Sequence, residues 1–172
     1  PSWSGEECCH PNVIRTYKAY MGRSTLDVVM ELASGGPVTS TFAEAHSFSE
    51  QEAQGVVKQL SSALAYLHGK SIAHRDVKPE NVVYADALRE RVKLVDFGVA
   101  ARGVPASGAA VPAEARRKTL VGTAPFMAPE LFQAVEGCRL RQGDRCVAYG
   151  CEVDIWALGV FTFLLLFGTL PF

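Results

Sequence analysis

The chain has 172 residues, 48% hydrophobic and 20% charged, so it is long and apolar enough to build a core and is not a disordered segment. A formal net charge of −1 leaves no electrostatic case for binding nucleic acid or an anionic membrane surface. Five cysteines and an opening Pro1-Ser2-Trp3 without a basic and then apolar leader favour reduced thiols in a cytosolic or nuclear compartment, and the missing initiator Met fits a chain cut from something longer.

In chain order, His10-Pro11-Asn12 predicts a turn leading into a strand over residues 15–20. A break at 21–24 precedes a second strand over 26–32, and so short a polar turn predicts an antiparallel pair. Ser34-Gly35-Gly36-Pro37 ends that strand as a linker. Ser49 with Glu52 three residues on forms a capping box, and Val56, Leu60, Ala63, Leu64 and Leu67 recur at helical spacing up to Gly69, which is expected to end the helix. That helix reads as scaffold without chemistry. Val82-Val83-Tyr84 and residues 92–95 predict a hairpin that delivers Asp96 at its end. Residues 101–117, rich in Ala, Gly and Pro, read as a flexible loop. Residues 136–151 read as a polar surface insertion, with Cys138, Cys146 and Cys151 spaced too loosely for a zinc site. Residues 155–172 are uncharged, but Gly168 and Pro171 interrupt them, so a buried core helix is favoured over a membrane span.

Three compact signals follow one another. The first is Ala73-His74-Arg75-Asp76-Val77-Lys78-Pro79-Glu80-Asn81, the second Asp96-Phe97-Gly98, and the third Gly122-Thr123-Ala124-Pro125-Phe126-Met127-Ala128-Pro129-Glu130. In this order and spacing they resemble the catalytic loop, metal loop and activation-segment end of the eukaryotic protein kinases. Lys78 within Asp-Val-Lys-Pro-Glu-Asn, and Thr123, follow the serine/threonine type. Asp-Phe-Gly-Val and Phe-Gly-x-x-Pro-Phe, at 96–99 and 167–172, lean toward the calmodulin-dependent kinase group.

The resemblance implies a role for each residue. Asp76 would orient the attacking hydroxyl and accept its proton, and Lys78 would contact the transferring phosphate. Asn81 and Asp96 would hold Mg²⁺, which is satisfied by a few hard oxygens plus phosphate. The Thr123 hydroxyl would bridge Asp76 and Lys78. Met30 would be the gatekeeper beside the adenine of ATP, with backbone groups of Glu31 and Ala33 on the adenine edge and Val83 as its floor. Pro37 stands where the family often carries an acidic ribose contact, so that contact is not expected. Thr119, after Arg116-Arg117-Lys118, would be an activating phosphosite set by an upstream kinase, its phosphate pairing with Arg75. Asp154 would cap the catalytic-loop backbone. His74 and Phe97 would pack in an internal spine, and Gly98 would give the metal loop its freedom.

The implied fold is α+β: a two-lobed, protein-kinase-like fold, truncated, with remnant N-lobe strands and a mostly helical C-lobe. Residues 1–33 would be the end of the N-lobe and the hinge, and residues 34–172 the C-lobe up to its central helix. The expected partners are proteins presenting Ser or Thr, with no nucleic acid and no membrane. No glycine-rich phosphate loop, Val-Ala-Ile-Lys strand or αC glutamate is found in the sequence. Glu130 would also lack its usual arginine partner, a cost of several kcal/mol if the carboxylate is buried. The chain by itself is therefore expected to have little or no activity. The alternative is a truncated pseudokinase or a kinase-fold interaction module.

Overall fold

The computed structural model describes residues 9–45, 47–102, 122–131 and 150–172. Thr16–Met21 (β1) and Leu26–Met30 (β2) pair antiparallel, with an irregularity between Thr16 and Lys18. Two helices follow, the short Thr39–Ala45 (α1) and Glu50–Gly69 (α2). Four short strands come next: Ile72–Ala73 (β3), Val82–Tyr84 (β4), Val92–Leu94 (β5) and Ala101–Arg102 (β6). Glu152–Phe167 forms the last helix, α3. The strands make three antiparallel pairs, β1–β2, β4–β5 and β3–β6. The α+β class expected from the sequence is the one observed.

The capping box at the start of α2 is complete. The Ser49 N–H donates to Glu52 Oε2 at 2.8 Å, and the Glu52 N–H donates to Ser49 Oγ at 3.3 Å. Such a cap stabilises a helix by about 1 kcal/mol. The apolar stripe of α2 buries Leu60, Leu64 and Leu67 fully, against Phe161 and Leu165 of α3 and Val92 and Leu94 of β5. Each buried leucine contributes about 2 kcal/mol of transfer free energy. α2 ends at Gly69 as expected, with Lys70 as its C-cap, but the left-handed residue that turns the chain is Ser71, at φ 57°. α3 does end at a left-handed glycine, Gly168 at φ 69°, whose N–H closes on the Leu164 carbonyl at 2.9 Å. Among the described residues no helix is long and apolar enough to cross a membrane.

The linker after β2 does more than connect. Val38 N–H donates to the Val82 carbonyl (2.9 Å), Tyr84 N–H to the Gly36 carbonyl (2.8 Å) and Gly35 N–H to the Tyr84 carbonyl (3.2 Å). It therefore lies along β4 like another strand. The approach is close enough to exclude a side chain: a Cβ at Gly35 would stand 2.1 Å from the Asp86 carbonyl oxygen. On the other edge, Ile14 N–H donates to the Leu94 carbonyl (3.0 Å) and Leu94 N–H to the Asn12 carbonyl (2.8 Å). The β4–β5 hairpin is thus held on both sides. This is why so short a hairpin can be a rigid platform; an isolated one is marginal in water.

Residues 101–102 of the expected loop pair with β3, in the register Ile72↔Arg102 and Ala73↔Ala101. Thr119, the basic run before it, Cys138 and Cys146 lie outside the described residues. Glu130 is half-buried rather than buried, so the full penalty for an unpaired buried carboxylate does not arise.

Candidate active site

The first motif occupies the turn between β3 and β4. Val77 is fully buried and anchors it in the core, so its neighbours Asp76 and Lys78 on the extended backbone face the other way. Pro79 then opens a 3-10 turn over Pro79–Asn81 that folds Asn81 back onto Asp76. Both amide hydrogens of Asn81 are spent there, on the Asp76 carbonyl (2.8 Å) and on Asp76 Oδ2 (2.9 Å). Lys78 Nζ donates to Asp76 Oδ2 at 2.7 Å and to Thr123 Oγ1 at 2.7 Å. The Thr123 hydroxyl donates to Asp76 Oδ1 at 2.9 Å. The third motif is therefore locked onto the first through one hydroxyl, the bridge expected of Thr123.

Burial pushes the Asp76 carboxyl up. Hydrogen bonds from Lys78 and Thr123, the Lys78 charge and the bond from Asn81 together outweigh it and hold the pKa below the usual carboxylate value. Asp76 is thus ionised at neutral pH, an acceptor fixed in orientation.

The loop backbone is held from beneath by Asp154, in the first turn of α3 and fully buried. Its Oδ2 accepts from His74 N–H (2.8 Å) and lies 2.8 Å from His68 Nε2; its Oδ1 accepts from Arg75 N–H (2.7 Å). His68 means that α2 is not merely scaffold. A histidine in the last turn of an otherwise regular helix was the available signal.

His74 packs edge-on against Phe97, 4.9 Å between ring centroids. It also makes hydrogen bonds at both ring nitrogens: Nε2 lies 3.0 Å from the Val95 carbonyl, and Nδ1 accepts from Asp76 N–H at 3.3 Å. Those partners require the neutral Nε2–H tautomer. Burial lowers the His74 pKa despite the opposing charges of Asp154, Asp76 and Asp96 and the Val95 hydrogen bond. The neutral ring therefore links Asp76 to the strand that delivers Asp96.

Val95 N–H donates to the Asn81 carbonyl at 2.9 Å, so the two ends of the hairpin close on each other. Asp96 follows, exposed and left-handed at φ 61°, and its Oδ1 accepts from Gly98 N–H at 3.0 Å. The positive φ falls on Asp96 and not on Gly98. At Gly98 an added Cβ would meet only Asp96 Oδ1, at 3.0 Å, a tight contact with the end of a side chain. Arg75 is also left-handed, at φ 69°, and its guanidinium donates to the Val99 carbonyl from both Nε and Nη2. Backbone strain of about 1–3 kcal/mol per residue is tolerated where the surroundings over-determine the conformation. Gly122, at φ 113°, lets the third motif pass close to the Arg75 carbonyl.

At the end of β2, Met30 is about half exposed, and Glu31 N–H is committed to the Arg15 carbonyl at 2.9 Å. The Glu31 carbonyl and the Ala33 N–H have no hydrogen-bond partner among the described residues. Val83 lies on the β4 face opposite the core. Pro37 is held in a bridge to Val83. Sequence reasoning missed Lys93, whose Nζ reaches Glu31 Oε1 at 2.7 Å; the signal was a lone charge at the centre of an apolar strand.

An α+β scaffold that braces a catalytic-type loop, a metal-type loop and an activation-segment end against one another is that of a protein kinase domain. The protein kinase domain family model matches residues 5–172, and the chain belongs to that family. It is 36% identical over 164 residues to calcium/calmodulin-dependent protein kinase type IV of Mus musculus, covering 95% of this chain and 31% of that protein. It is 35% identical to calcium-dependent protein kinase 5 of Plasmodium berghei (strain Anka), covering 95% of this chain and 25% of that protein. It is 34% identical to death-associated protein kinase 2 of Mus musculus, covering 95% and 39%. The lean toward the calmodulin-dependent group agrees with these relatives. The chain spans between 25% and 39% of the length of these relatives.

Proposed function

We propose that the protein is an ATP-dependent serine/threonine protein kinase, passing the γ-phosphate of ATP to a Ser or Thr hydroxyl of a protein substrate. The observation that carries this reading is the set closed on Asp76: Lys78, Thr123 and Asn81 each meet its carboxylate at 2.7–2.9 Å, and Lys78 also meets Thr123 at 2.7 Å. An ionised Asp76 accepts the hydrogen of the attacking hydroxyl and fixes its direction. With its pKa held down it is a weak base, so its main contribution is orientation, with the proton taken late. Lys78, already placed beside Asp76, neutralises charge on the phosphate as it moves. Thr123 keeps both side chains in register with the segment on which a substrate would lie.

Asn81 and Asp96 suit Mg²⁺. With both amide hydrogens of Asn81 engaged on Asp76, its side-chain oxygen is the free donor, and Asp96 offers an exposed carboxylate at the other end of the same hairpin. Mg²⁺ there would screen the phosphate charge. The open Glu31 carbonyl and Ala33 N–H form an acceptor and a donor for the adenine edge, with Met30 beside it and Val83 beneath. We place the boundary between the end of the N-lobe with its hinge and the C-lobe at residues 33/34, where the linker begins to pair with β4. Thr119 as a phosphosite for an upstream kinase, with Arg75 as its receiver, and a cytosolic or nuclear location complete the reading.

The test is phosphotransfer from radiolabelled ATP to a mixed Ser/Thr peptide library by the full-length product of the transcript. Asp76→Asn is expected to lower turnover by about 10²–10⁴-fold. Turnover unchanged by Asp76→Asn, or label appearing only on tyrosine, overturns the assignment. The 172-residue chain alone carries no glycine-rich loop or lysine for the α and β phosphates, and is expected to show little or no turnover. Asp76-dependent activity in that chain would sink the last point.

A further inference from the structure

The alternation of β4 and β5 sends Val82, Tyr84, Val92 and Leu94 into the core. It leaves Val83 and Lys93, directly opposite each other in the register, together on the other face. A lysine on such a face ordinarily reaches solvent, yet Lys93 is only 9% exposed. Its ammonium is covered by the end of β2 and by the turn before β1: Nζ donates to Glu31 Oε1 at 2.7 Å and to the Pro11 carbonyl at 3.1 Å. The same Glu31 oxygen accepts from Arg15 N–H at 2.7 Å. Glu31 is thus held at its amide and its carboxylate, while its carbonyl stays open.

We infer that Lys93 is a positioning residue for the nucleotide, fixing the 31–33 edge through Glu31 against the hairpin whose ends carry Asn81 and Asp96. This rests on the kinase reading above. A buried ammonium cannot leave its carboxylate without a large desolvation penalty, so the pair sets a fixed separation between the adenine end and the metal end of the site. No other described side chain ties β2 to β5 by an ion pair.

The experiment uses the full-length kinase and steady-state rates with ATP and peptide varied separately. Lys93→Met and Glu31→Gln are expected to raise the KM for ATP about tenfold, with kcat within about twofold and the peptide KM unmoved. A folded Lys93→Met enzyme with an unchanged ATP KM overturns the inference and leaves the kinase reading standing. Should Lys93→Met not fold by circular dichroism, Glu31→Gln carries the test, because it keeps the size and an acceptor oxygen; an unchanged ATP KM there overturns the inference equally. Absence of Asp76-dependent turnover in the wild type removes the kinase reading itself.

Discussion

In the β1–β2 hairpin Tyr17, Tyr20, Met21, Leu26, Val28, Val29 and Met30 are all between 41% and 85% exposed. In residues 72–77, by contrast, Ile72, Ala73, His74, Arg75 and Val77 are all buried, and the partly buried carboxylate of Asp76 is held from three directions. Both stretches were recognised in the sequence with equal ease. The difference is in what backs them. The hairpin satisfies its own backbone but buries neither face, and it is fastened to the rest chiefly at Glu31. The loop has almost no backbone pairing of its own and borrows its order from Asp154, Thr123 and Asn81. Regular secondary structure and rigidity are thus separate properties here, and the proposed chemistry falls on the irregular, better-braced part.

Removing the brace is the strongest way to break this contrast. Asp154→Ala leaves two buried loop N–H groups and His68 without their acceptor and is expected to destabilise the fold by about 3–5 kcal/mol. Thermal unfolding followed by circular dichroism measures it. Gly35→Ala is next, at about 1–3 kcal/mol, since the new Cβ meets backbone on β4's turn and the linker must lift off the hairpin. Thr123→Val, nearly the same shape without the hydroxyl, is expected to cost about 1 kcal/mol of stability by the same melt and to lower the turnover of the full-length enzyme.

Acid sharpens the contrast by titration. His74 is neutral in the fold, with its pKa below the ordinary 6.5, so the unfolded chain binds the proton first. Its contribution is fully present above pH 6.5 and is lost as the pH falls from there toward the lowered folded value. Asp76, also lowered, adds a second loss as the pH falls below the ordinary carboxylate value of 3.8. Denaturant midpoints between pH 7 and pH 5 are expected to fall, and His74→Gln is expected to flatten that slope. At the small end, Met21→Lys or Leu26→Thr on the exposed hairpin is expected to change the unfolding free energy, measured by the same denaturant melts, by no more than about 0.5 kcal/mol.

The linear sequence determined the family and pointed to the residues proposed for the chemistry. Phosphoryl transfer needs particular side chains at short spacing, and residues 73–81, 96–98 and 122–130 carry them within single loops. It also determined the β1–β2 pair, the Ser49 cap and the Gly168 stop, because these are contests between near neighbours along the chain. Tertiary structure decided the rest. Whether Gly69 or Ser71 took the left-handed turn, and whether Asp96 or Gly98 took the positive φ, depended on what packed against each. The linker became a strand only because Gly35 could touch the hairpin. Lys93 found Glu31 across 62 positions, His68 found Asp154 across 86 and Thr123 found Asp76 across 47. Such pairings leave no periodicity to read, since each is fixed by the shape of the core between them rather than by spacing along the chain.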